Sequence, residues 1–213
     1  MDWIVTGSSH SGRDWLRRLV ELYPDAVTMA TNRSIEWHAE DGIPLDYLFI
    51  FDMVACQKYH EVAMQMKARG TRLVTLKRKQ PALAQRKLDG FDEFLGDARF
   101  KCNPGWFAKG EWNDMGLSGL WSLQYAVNSG ATTIHLPGHE GYRAAKTDYD
   151  NGEPHARGKE LTFGQIEPGM NAIVGACPDV QFVFYGDLAY DVRGTNVTHC
   201  KKQTAESATA KAV

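Results

Sequence analysis

Ser118-Gly119-Leu120-Trp121-Ser122-Leu123-Gln124-Tyr125-Ala126-Val127-Asn128-Ser129-Gly130-Ala131-Thr132-Thr133-Ile134-His135-Leu136-Pro137-Gly138-His139-Glu140-Gly141-Tyr142 is the stretch on which the fold turns. Leu120, Trp121, Leu123, Gln124 and Val127 recur at helical spacing, and Gly130 ends the run. Thr132 to Leu136 is short, β-branched and apolar, as a strand is. Residues 137–158 are polar and loop-like. A helix, then a strand, then a polar loop is the repeating unit of an open α/β sheet, and such loops carry small-molecule sites.

Working outward, the same unit recurs. Trp3 to Thr6 reads as a strand, Gly7-Ser8-Ser9-His10-Ser11-Gly12 as a polar glycine loop, and Trp15, Leu16, Leu19, Val20 and Leu22 as one helix face stopped by Pro24. Ala26 to Thr31 is a second strand. A helix from Ser34 follows, with Ser34 as N-cap and Trp37 on its inner face. Asp46 to Phe51 is a third strand, closed by Asp52. A helix over 56–69 carries Val62, Ala63 and Met66 on one face, with Gly70 as its C-cap. Arg72 to Leu76 is a fourth strand. On the far side of the opening stretch, a helix from about Thr162 to Ala176 is interrupted or begun by Pro168-Gly169. Val180 to Phe184 is the last clear strand. Alternating strands and helices predict a Rossmann-like, doubly wound, mainly parallel α/β sheet. The expected organisation is one domain over 1–202, with an irregular aromatic insert or lid at about 90–116 and a disordered tail at 203–213.

Bulk properties exclude several classes. The 213 residues suffice for one full core, and 43% hydrophobic with 23% charged residues is ordinary for a globular chain. A net charge of -2 argues against nucleic acid as a partner. Lys77-Arg78-Lys79 is the one dense basic run and reads as a solvated strand end. Cys56, Cys102, Cys177 and Cys200 form no CxxC pair, so a zinc knuckle is not expected. Met1-Asp2-Trp3 shows no signal-peptide pattern, and no segment has the length of a membrane span. A cytoplasmic chain with free thiols is the resulting expectation. An oligomer is compatible with all of this.

Chemistry is expected beyond the carboxyl ends of the strands. There lie Gly7, Ser8, Ser9 and His10; Asn32 and Arg33; Asp52; and His139, Glu140 and Tyr142. The glycine loop matches neither a dinucleotide fingerprint nor a Walker loop, so it reads equally as a phosphate cradle or a tight turn. Asn32 suits a turn or a ribose contact, and Asp52 a helix cap or a ribose or metal contact. Ser118-Gly119 opens a helix, with Ser118 as a natural N-cap whose neighbouring amides face any anion. His155, flanked by Arg157 and Lys159, suits proton transfer beside a phosphate leaving group, or is a plain loop histidine. His139-Glu140 lacks a third metal ligand, and His135 reads as packing. No nucleophile elbow is present.

Taken together, Leu117 to Ala131 followed by Ile134-His135-Leu136-Pro137-Gly138-His139-Glu140-Gly141-Tyr142 resembles a segment of the small bacterial sialyltransferases. It is equally similar to the motility-associated glycosyltransferase-like proteins and the 6-hydroxymethylpterin pyrophosphokinase-like proteins. In these a Thr-Ser-Gly helix start leads to Ile-Tyr-Leu-x-Gly-x-Asp-x-Tyr. Ile4 to Ser9 stands where they carry a strand and a Gly-Asn-Gly-Pro-Ser loop. Thr31-Asn32-Arg33 stands at their Asn-Arg or Cys-Asn-Gln, and Asp46 to Asp52 resembles their Pro-Asp-Tyr strand. Ser8-Ser9-His10-Ser11 departs from the family loop, and Glu140 replaces the family Asp.

The resemblance implies a nucleotide held by Gly7, Ser8, Ser9, Asn32, Asp52, Ser118 and Gly119, with His155 as general base and Arg157 or Lys159 on the departing phosphate. It implies a nucleotide-sugar-dependent glycosyltransferase, with a nucleotide-sugar donor and no definite cofactor. Two alternatives stay open. One is ATP-dependent diphosphate transfer, with Mg²⁺ held by Asp52 and Glu140. The other is a non-catalytic nucleotide-binding or interaction protein.

Overall fold

The computed structural model describes residues 1–9, 11–86, 88–96, 105–115, 117–140 and 159–201, and within them one sheet carries every strand. The elements are β1 (Asp2–Thr6), α1 (Gly12–Leu22), β2 (Val27–Thr31), α2 (Ile35–Asp41), β3 (Tyr47–Phe49), α3 (Met53–Ala68), β4 (Arg72–Leu76), α4 (Gln80–Gln85), β5 (Glu93–Leu95), α5 (Ser118–Asn128), β6 (Thr133–Leu136), α6 (Lys159–Ala176), β7 (Gln181–Tyr185) and β8 (Val197–Cys200). Single 3₁₀ turns at Asn32–Ser34 and Lys77–Lys79 lead out of β2 and β4.

The strand order is β5-β4-β3-β2-β1-β6-β7-β8, and all seven pairings are parallel. Parallel strands need crossovers, and right-handed crossovers put the helices on two faces. The strand side chains divide accordingly. Val5, Met29, Phe49, Val74 and Ile134 face α5 and α6, whereas Ile4, Ala30, Leu48 and Leu73 face α1, α2 and α3. Both faces of the central strands are therefore buried, which is why they read as continuous apolar runs.

The structure corrects several expectations. α3 starts at Met53 because the Asp52 carboxylate accepts from the Val54 amide at 2.8 Å, which caps the helix three residues upstream of the predicted start. β5 lies inside the stretch expected to be irregular, pairing with β4 through Val74↔Glu93 to Leu76↔Leu95. β8, unmarked in sequence, adds an edge beyond β7. Leu22, assigned to the buried face of α1, is 70% exposed. α6 runs through Pro168 without ending, and Gly169 next to it is where Leu120 of α5 packs, in space a Cβ would occupy. Residues 203–213 lie outside the described residues.

Residues 105–115 are fastened down. Gln124 of α5 accepts from the Asn113 amide and donates to the Asn113 carbonyl, both at 2.8 Å. One turn later Asn128 accepts from the Gly110 amide and donates to the Glu111 carbonyl, again at 2.8 Å. Side-chain amides carry both a donor and an acceptor, so two of them at i and i+4 pair an extended segment much as a strand would. Trp112 stacks on Trp121 at 6.1 Å. This part of the predicted lid is thus a strap along α5.

Candidate functional site

The chain reverses direction in the sheet between β1 and β6. β1 to β5 build outward on one side and β6 to β8 on the other. In open α/β sheets that switch point, at the carboxyl ends of the strands, is where ligands sit. The loops leaving β1 and β6 meet there. Gly7 N–H donates to the Pro137 carbonyl at 2.9 Å and Ser9 N–H to the Gly138 carbonyl at 3.0 Å. Gly12 also abuts Gly138 and the Trp37 ring. The Gly7 and Ser9 amides are therefore engaged with protein carbonyls. The predicted cradle works as a closure of one loop on another, with Ser8 half-buried beside it.

Next to this closure, β2 delivers Asn32. Its φ of 50° is left-handed, which an asparagine tolerates better than most residues. Asn32 Nδ2 donates to Ser118 Oγ at 2.9 Å, while its Oδ1 is buried with no partner among the described residues. Ser34 holds the turn: its hydroxyl accepts from the Thr31 amide and donates to the Thr6 carbonyl, both at 2.8 Å. Beneath it Ser122 donates to the Ser118 carbonyl at 3.1 Å, which leaves Thr31 as donor in the 2.8 Å Thr31–Ser122 hydroxyl pair. Sequence reasoning missed this second layer, because Thr31 and Ser122 come from elements 91 residues apart.

Ser118 is not the N-cap that its type suggests. Leu117 occupies that position with extended backbone (φ -126°, ψ 137°), and its side chain makes no capping hydrogen bond. Ser118 is the first helical residue and its Oγ turns to Asn32. The first amides of α5 carry the positive end of the helix dipole. Ser118, Gly119, Asn32 and the Gly7 loop lie together here.

His139 fills the space between them. A Cβ on Gly7 would lie 3.1 Å from its Cδ2, and one on Gly119 3.2 Å from its Cε1. Both glycines make room for an imidazole. Burial pulls the His139 pKa down to about 4, against the opposing hydrogen bond to the Val5 backbone, so the ring is neutral near pH 7. Glu140, beside it, is also buried, and accepts from the Ser11 hydroxyl and from the Ser11 amide at 3.4 Å.

The other predicted residues divide. Asp52 caps α3 at the end of β3, and Glu140 follows β6, three strand spacings or about 14 Å away across the sheet. Each carboxylate is held by its own loop, so the fold does not bring the two together as ligands of one ion. Among the described residues no group of three His, Cys, Asp or Glu is placed to hold a metal. Lys159 opens α6; His155 and Arg157 lie outside the described residues, as do His10 and Tyr142. His135 packs in the core as expected, with Nδ1 2.8 Å from the Tyr185 hydroxyl. Among the described residues no helix is long and apolar enough to cross a membrane.

The parallel sheet, its helices on both faces and its switch between β1 and β6 define a Rossmann-like, doubly wound α/β protein. No family model matches the chain, and no curated protein matches it. Among solved structures it is similar to the MAf glycosyltransferase from Magnetospirillum magneticum AMB-1, with a TM-score of 0.57 over 92% of this chain at 13% identity. The chain spans 33% of the length of that protein. The likeness shows a shared fold.

Proposed function

We propose that the chain binds a nucleotide at the carboxyl edge of β1, β2 and β6 and acts as a nucleotide-sugar-dependent glycosyltransferase of the sialyltransferase-like type. The observation that carries this reading is the start of α5. Ser118 and Gly119 follow an N-cap residue, Leu117, whose side chain makes no cap, and they lie beside Asn32, whose Oδ1 has no partner among the described residues. A helix end of this kind takes a phosphate, and an unpaired amide oxygen takes a hydroxyl. The fold shared with a MAf glycosyltransferase supports the reaction class.

In this reading the acceptor hydroxyl attacks the anomeric carbon of the donor sugar as the bond from that carbon to the phosphate oxygen breaks. His155 takes the acceptor proton. The phosphate keeps the bonding electrons, and its charge is met by the α5 amides together with Arg157 and Lys159. Gly7, Ser8 and Ser9 wall the nucleotide, and Asp52 stands at the outer end of the same edge.

The test is a thermal-shift series with CMP, UMP, CMP-sugars and UDP-sugars, with and without Mg²⁺. A ligand at a hundred times its Kd adds about 2.7 kcal/mol of stability, enough to move the melting temperature by several degrees. Absence of any shift at millimolar nucleotide sinks the proposal. His155→Ala should abolish sugar transfer and leave nucleotide binding intact. Retention of the biological effect in that variant would favour a non-catalytic nucleotide-binding protein.

A further inference from the structure

The loop from the first strand into the first helix is where a Rossmann-like protein receives a phosphate, so the partners of its amides decide what it can hold. Gly7, Ser9 and Gly12 give their amides to carbonyls of the protein: Pro137 at 2.9 Å, Gly138 at 3.0 Å and Ser9 at 3.0 Å. The Ser11 amide differs, because its partner is a carboxylate. Ser11 is the N-cap of α1, yet its hydroxyl makes no cap. It donates instead to Glu140 Oε1, while the Ser11 amide donates to Glu140 Oε2 at 3.4 Å. One residue thus meets both oxygens of one carboxylate, at the positive end of an 11-residue helix.

Glu140 reaches this place from the loop after β6, 129 residues further along the chain, and is 8% exposed. The loop after β7 holds it there. Ala189 N–H donates to the Glu140 carbonyl at 2.7 Å, and Gly186 makes room for the side chain, since a Cβ on it would collide with Glu140 Oε1. Neighbouring side chains part at this point: His139 turns to Gly7 and Gly119, and Glu140 turns to Ser11 and Gly186. The carboxylate therefore belongs to the α1 side of the sheet edge. Asp14, in the first turn of α1, is exposed and interacts with Arg17, so the buried charge at this end is supplied by Glu140. A phosphate at the start of α1 would need the Ser11 donors that Glu140 already has, and would meet a like charge in a desolvated place.

We propose that Glu140 is a specificity residue: its carboxylate fills the anion position at the start of α1 and closes the first loop to phosphate. Ligands that need this loop for a phosphate, as dinucleotides do in Rossmann-like proteins, are excluded. Under the nucleotide reading above, on which this one consequence rests, the phosphate of a bound nucleotide is then confined to the start of α5.

The experiment titrates inorganic phosphate, and separately acetate, into wild type and Glu140→Ala at constant ionic strength. Two backbone amides are followed by ¹⁵N NMR, Ser11 for the first loop and Gly119 for α5. In wild type neither anion should move the Ser11 amide. Glu140→Ala removes both the charge and the side chain that fill the place. Both anions should then move Ser11, with an affinity at least about tenfold above wild type, the scale of removing a like charge at this range. Should the variant not fold in plain buffer, its refolding in acetate and not in chloride is the same result. A Ser11 amide that phosphate moves as readily in wild type overturns the proposal. So does a variant in which neither anion moves Ser11 or restores the fold. Gly119 is read separately: if neither phosphate nor CMP nor UMP moves it, the nucleotide reading fails at α5, and the role of Glu140 at α1 stands or falls on Ser11.

Discussion

Gly7 and Gly138 meet backbone to backbone: a Cβ on Gly138 would stand 2.5 Å from the Gly7 carbonyl oxygen, and one on Gly7 would strike the Gly138 carbonyl in turn. This contact closes the loop leaving β1 onto the loop leaving β6 at the switch point of the sheet. Gly138 also has a φ of 75°, which penalises any L side chain.

Gly138→Ala should therefore cost both strain and a clash with backbone that cannot swing aside, about 3 kcal/mol or more. Gly42→Ala is the control. Its φ of 68° is just as left-handed, but nothing lies within 4 Å of its Cβ, so it should cost only about 1 kcal/mol. Urea unfolding of both variants decides it. Equal losses would mean that the Gly7–Gly138 contact does not constrain the fold.

Asn32 offers a way to separate backbone from side chain. Asn32→Gly relieves the left-handed backbone at φ 50°, whereas Asn32→Ala keeps the strain. The glycine variant should be the more stable by about 1 kcal/mol. Both lose the hydrogen bond to Ser118 and the free Oδ1, so both should weaken nucleotide binding by about tenfold. A nucleotide affinity unchanged in both would remove Asn32 from the site.

Acid should destabilise the protein before its carboxylates titrate. Burial holds His38 and His139 neutral, each with its pKa pulled down to about 4, against about 6.5 in the unfolded chain. Between those values the unfolded state binds protons that the folded state refuses. The stability is fully present above pH 6.5 and falls as pH drops towards 4, by up to about 3 kcal/mol for each histidine. Asp41 extends the loss further: hydrogen bonds from Arg13 and Arg17 hold its carboxyl well below the usual range, and its contribution goes only when it is protonated. His38→Asn should flatten the profile between pH 6.5 and 4.5. A melting-temperature slope as steep as wild type would refute the assignment.

The sheet was legible where a residue's neighbours in sequence are also the source of its burial. The helix and strand of residues 118–136, the strands at Trp3 to Thr6 and Arg72 to Leu76, and the positions of Trp37 and Gly130 follow from periodicity and turn chemistry alone. β5 and β8 escaped because strands of three or four residues at a sheet edge have too little pattern of their own, and their pairing comes from β4 and β7. Pro168 misled for a related reason. Proline opposes helix continuation locally, but α6 is packed on α5 through Gly169 and Leu120, and that packing holds the helix through it.

By itself the sequence determined the class of the fold, since alternating helix and strand periods permit few topologies, and it marked the polar residues at the strand ends, the edge where ligands bind in open α/β sheets. Tertiary structure alone decided what those residues do. It turned Ser118 from a cap into a partner of Asn32, 86 residues away, and made the glycines at 7 and 119 the seat of the His139 ring. It also parted Asp52 from Glu140 by three strand spacings. Periodicity is local, whereas a hydrogen bond between chain-distant groups exists only once the parallel sheet has put β1, β2 and β6 side by side.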